Sequence, residues 1–147
     1  MTIDLYQFLR DGSLGDARLG MSRAQVESLL GDPYDENIRD NQTIHAITRH
    51  GPFQLVYEPI SNELVEIYVK TYGPEEHDLR LEGYERISKA TMVEFRAILE
   101  SLEIGYTPVR PHGEPHQYDW LLDSGVQVIF DGETRMFNQL LWVKRFD

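Results

Sequence analysis

The 147-residue chain has no cysteine, which removes disulfides, a thiol nucleophile and thiolate metal sites from consideration. It is short of cations: 14 Lys+Arg stand against 25 Asp+Glu, a formal net charge of −11. A phosphate backbone is bound by clustered Lys and Arg, so nucleic acid is not an expected partner. No run of 18 apolar residues occurs, and no membrane-spanning helix is expected. The first ten residues lack the basic and apolar regions of a signal peptide, so the cytoplasm is the expected location. Also missing are a G-x-S-x-G elbow, a phosphate loop, an H-E-x-x-H motif and a dinucleotide glycine fingerprint. The expectation is a non-enzymatic protein without a cofactor.

What is present is patterned. Leu5, Phe8 and Leu9 make one apolar stripe at helical spacing over residues 3–10, closed by Asp11-Gly12. Ser22 with Gln25 reads as a capping box. Met21 is placed to staple onto Val26, and Val26, Leu29 and Leu30 form the buried stripe. Gly31 and Pro33 end that helix. Thr91 with Glu94 is a second capping box, opening a helix to about residue 103 with Met92, Phe95, Ile98, Leu99 and Leu102 inward. Between and after the helices the period changes to two. Residues 43–50, 53–57 and 64–72 read as three strands joined by short turns, and residues 118–123, 126–130 and 139–146 as three more.

The two series align. Ser22, Val26, Leu29 and Leu30 match Thr91, Phe95, Ile98 and Leu99 at an offset of 69. The stretch Phe53-Gln-Leu-Val-Tyr57 matches Val126-Gln-Val-Ile-Phe130 at 73, and Ile67-Tyr-Val-Lys70 matches Leu141-Trp-Val-Lys144 at 74. Residues 107–117 hold the required insertion. The expected fold is therefore α+β: two tandem α-β-β-β units, residues 1–73 with an extra N-terminal helix and residues 74–147, joined through 72–78 into one domain. Their antiparallel sheet would carry the helices on one face.

The run Leu19-Gly-Met-Ser-Arg-Ala-Gln-Val-Glu-Ser-Leu-Leu-Gly-Asp-Pro33 resembles the helix signature of BamE/SmpA/OmlA-type modules. As a tandem pair the chain is also similar to the β-lactamase-inhibitory-protein architecture. That resemblance implies an open sheet face used to hold another protein, and a role such as an immunity protein paired with a toxin. The lipobox cysteine of the lipoproteins is absent, as is the L-G-x-P ending in the second half.

Two candidate sites follow. If Phe53, Leu55, Tyr57, Ile67 and Val69 face the helices, Val56, Tyr68, Tyr72, Ile129, Leu140 and Trp142 face outward among acids such as Glu58 and Glu66. Aromatic anchors in a charged surround are what interfaces use. Tyr68 and Trp142, equivalent in the repeat, are the expected anchors for a basic protein partner, steered by the acidic charge; a homodimer is a second way to cover this face. His112 and His116, with Asp119 nearby, are the only candidate metal ligands, in a loop whose simpler reading is a solvated Pro-rich turn. His45 and His50, five apart on a strand, point to opposite faces. The run Glu75-Glu-His-Asp78 reads as exposed linker. The rival reading is a regulatory module that binds a small molecule or metal between the halves. An unrecognised hydrolase would need titratable groups converging in a pocket.

Overall fold

The computed structural model describes residues 2–37, 46–71, 79–109 and 117–143. The elements are β1 (Thr2–Asp4), α1 (Leu5–Asp11), α2 (Arg23–Leu30), β2 (Asp35–Asn37), β3 (Ala46–His50), β4 (Phe53–Tyr57), β5 (Leu64–Lys70), β6 (Arg80–Glu82), α3 (Tyr84–Ser88), α4 (Met92–Ser101), β7 (Tyr106–Val109), β8 (Gln117–Leu122), β9 (Gln127–Asp131) and β10 (Phe137–Val143).

Local chemistry sets the helix ends. Ser22 accepts from the Gln25 backbone N–H and Thr91 from that of Glu94, and each residue at the third position reaches back to the cap, so both capping boxes form. Asp4 caps α1 by accepting from the Tyr6 N–H at 2.9 Å. Gly12 ends α1 in the left-handed region, φ 77°, its N–H bonded to the Phe8 carbonyl at 2.8 Å.

The expected pair of α-β-β-β units is not what the chain builds. Among the described residues 44% lie in strands and 25% in helices. Eight strands form one antiparallel sheet in the order β2-β3-β4-β5-β10-β9-β8-β7. Each half thus brings four strands, not three, and two helices. A separate parallel pair joins β1 to β6, with Ile3 opposite Leu81. The four strands missing from the sequence reading carry little pattern. Residues 35–37 are all polar, and 2–4 and 80–82 hold one apolar residue each. Strand β7 contains Pro108, which lacks an N–H and is tolerated because β7 is an edge. Pairing of β5 with β10 makes the sheet continuous across the two halves. The 73/74 boundary lies outside the described residues.

One face of the sheet carries the core. Phe53, Leu55, Tyr57, Leu64, Ile67 and Val69 pack in a single cluster with Val126, Val128, Phe130, Phe137 and Leu140. Phe8 and Leu9 of α1, Val26 and Leu30 of α2, Ile87 of α3 and Ile98 and Leu99 of α4 join the same cluster. Phe95 of α4 is the aromatic centre of the second half. Its ring lies 5.6 Å from Phe130 and 5.8 Å from Phe137, centroid to centroid.

Candidate functional site: the open face of the sheet

Opposed residues in an antiparallel pair share a face, so register decides what each face shows. Across β5 and β10, Tyr68 lies opposite Leu141, Ile67 opposite Trp142 and Val69 opposite Leu140. Trp142 therefore shares the helix-packed face with Ile67, and Leu140 is fully buried there. Neither faces outward, as the sequence alignment had placed them. The cause is one residue of slip. Matching inward positions across the sheet requires the offset of 73 throughout, which equates Tyr68 with Leu141; an offset of 74 equates it with Trp142 and turns β10 over.

Trp142 is a plug between two turns. Built on Gly12, a Cβ would lie 2.6 Å from Trp142 Nε1, and on Gly125, 2.2 Å from Trp142 Cζ3. Gly125 sits at φ 94° in the turn between β8 and β9. That turn is tied to α1 by the Ser124 hydroxyl, which donates to the Leu9 carbonyl at 2.9 Å. The indole is wedged between them, where only glycine leaves room.

The opposite face is the one no described helix joins. Its middle row runs Arg49, Gln54, Tyr68, Leu141, Gln127 and Leu121 across six strands. A second row holds Lys70, Gln139, Ile129, Asp119 and Val109. A third holds Ile47, Val56, Glu66 and Val143. Val56 and Ile129 are 7% and 6% exposed, yet they stand outside the helix-packed cluster. Of the expected interface residues, Val56, Tyr68 and Glu66 are on this face and adjacent. Tyr72 lies outside the described residues. Glu58 is turned to other work, its carboxylate accepting from the Ile60 and Ser61 N–H groups in the turn before β5.

The polar groups here are ordered. The Tyr68 hydroxyl donates to Glu66 Oε2 at 3.0 Å. Burial, then that carboxylate, push its pKa up to about 12. Lys70 Nζ donates to Gln139 Oε1 at 2.5 Å and lies 4.9 Å from the Tyr68 ring centroid. Burial, then the Arg49 guanidinium, hold the Lys70 pKa below its ordinary value. Arg49 itself is paired with Asp35 at 2.8 Å. Asp119 is different: its Oδ1 is shielded from solvent with no hydrogen-bond partner among the described residues, and burial raises its pKa. The sequence reading attached Asp119 to a histidine loop and overlooked it here; only register puts it on this face.

The remaining candidates separate. His50 is on the helix side, 3% exposed, its Nε2 3.2 Å from Thr48 Oγ1, and burial lowers its pKa. His45, His112 and His116 lie outside the described residues, and among the described residues no group of three or more His, Cys, Asp and Glu could hold a metal. A depression lined by Tyr34, Arg49, Pro52, Gln54 and Lys70 offers about 30 Å³, room for a few waters at most. No described helix is long and apolar enough to cross a membrane.

No family model matches the chain, and no curated protein or solved structure matches it. The likeness to BamE-type and inhibitory-protein modules stays a likeness of residues 19–33 and of a repeat pattern.

Proposed function

We propose that the protein is a non-enzymatic interaction module that binds another protein on the open face of its sheet. The observation that carries the reading is the composition of that face. Tyr68, Leu141 and Leu121 in one row, with Val56 and Ile129 beside them, stand on a sheet face that a one-sided fold would fill with polar residues. An aromatic and aliphatic centre with charges around it is the composition of an interface. Among the described residues this face carries Arg49 and Lys70 against Asp35, Glu66, Asp119 and Asp131, a net of −2 where the whole chain is at −11. That distribution gives a basic partner little local preference on the face itself. Occlusion of a basic, toxin-like protein would have to draw on long-range charge, and its binding would fall steeply with salt.

The test is site-specific photo-cross-linking, with the reactive group at Gln127 on the open face or at Val93 on the exposed side of α4. Cross-links to a partner are expected from position 127 alone. They should be lost in a Tyr68→Ala/Leu141→Ala variant whose melting temperature stays close to wild type. Capture through position 93, or capture indifferent to the double variant, defeats the reading.

A further inference from the structure

We propose that the occupant of the open face is a second copy of this chain, docked about a twofold axis parallel to the strands, so that Lys70 of each copy meets Asp119 of the other. The proposal rests on the open-face reading and names its partner. Lys70 and Asp119 are both half-buried and both lack a counter-charge: among the described residues no carboxylate lies within 4.0 Å of Lys70, and no cation within that distance of Asp119. Among the described residues Asp119 Oδ1 has no hydrogen-bond partner either. An unpaired charge out of water is costly and is relieved by an opposite charge brought to it.

The two residues stand on one cross-strand row, Lys70 on β5 and Asp119 on β8, with Gln139 and Ile129 between them. Three inter-strand steps separate them, about 14 Å. A twofold axis over the β10–β9 seam exchanges β5 with β8 and laps each charge onto the opposite charge of the other copy. The same operation lays Tyr68 over Leu121 and Leu141 over Gln127, so the neighbouring row meets aromatic on aliphatic. Such a contact is isologous, as closed dimers require. Six strands, β4 through β7 in the sheet order, lap their counterparts across about 24 Å, and about 20 Å of strand length gives on the order of 480 Å² per copy, the size of a weak, concentration-dependent contact below the ~800 Å² of a standard interface. The face itself, at −2, repels a second copy far less than the chain's overall −11.

Charge reversal tests this in one series by sedimentation velocity at about 0.15 M salt. The wild type is expected to be a dimer. Lys70→Glu and Asp119→Lys should each weaken it at least about tenfold, and both changes in one chain should restore it, because the pair is rebuilt with its signs exchanged. Circular dichroism melts of all four proteins control for folding, with Lys70→Met and Asp119→Asn replacing any reversal that unfolds. A wild type monomeric across the concentration series overturns the proposal, as does a double variant no tighter than the single ones. A monomer whose capture of a different protein still depends on Tyr68 and Leu141 removes the second copy and leaves the interaction module standing. A monomer indifferent to those residues removes both.

Discussion

The wedge at Trp142 predicts a specific coupling. Replacing Gly125 with Ala puts a Cβ 2.2 Å from Trp142 Cζ3 and 2.6 Å from Cη2, at a φ of 94°. An alanine in the left-handed region costs about 1 kcal/mol. The ring cannot keep its place against a contact that short, and forcing packed groups to shift costs about 2 kcal/mol more. The sum of ~3 kcal/mol corresponds to a melting temperature lower by about 6–12 °C for a chain of this size. Trp142→Ala, which empties the partly buried slot, should cost about 3 kcal/mol, the low end for a large aromatic. In the Trp142→Ala background the Gly125 change has nothing to strike. It should then cost only its backbone strain, leaving a coupling of about 2 kcal/mol. The assay is urea unfolding of wild type, both single variants and the double. Additive costs would refute the wedge. So would a Trp142→Ala protein with wild-type stability, which would return the indole to the surface role its sequence position suggested.

Two further outcomes follow from the core side. Ser22→Ala and Thr91→Ala should each cost about 1 kcal/mol, since each removes the side-chain acceptor of a capping box, and the two costs should add because the caps share no partner; denaturant midpoints of the singles and the double check this. His50 is held below its ordinary pKa of 6.5 by burial, with Glu27, Arg23 and Asp32 acting on it from α2 and the residues that follow. The unfolded chain takes up a proton there before the folded chain does. Stability is therefore fully present above pH 6.5 and falls as the pH drops toward the folded pKa, by at most about 1.4 kcal/mol per pH unit. His50→Gln should flatten that segment of the stability profile, and an unchanged slope would show that the loss comes from other groups.

The sequence by itself determined the two long helices. Their capping boxes, apolar stripes and terminating residues are local, and Ser22, Gln25, Thr91 and Glu94 make the contacts their spacing promised. It determined equally that residues 53–57 and 64–70 alternate and which of their side chains point inward, since Phe53, Leu55, Tyr57, Ile67 and Val69 are all buried in the core. Strands β1, β2, β6 and β7 were not legible, because three or four residues with one apolar side chain or a proline carry no period. Their existence depends on a neighbour to pair with, supplied for β1 by a strand about 80 residues further along.

The face of β10 was the decisive case. Its residues 137–143 are apolar at too many positions for alternation to choose a side, and a gap of one in the alignment of the halves reverses every side chain. Only the pairing of β10 with β5 and β9 sent Leu140 and Trp142 to the core and Leu141 to the open face. The same pairing brought Lys70 and Asp119 onto one row although they are 49 positions apart in sequence. Local spacing can specify a helix, because its hydrogen bonds close within four residues. A sheet face belongs to strands far apart in the chain, so its composition exists only once they are in register.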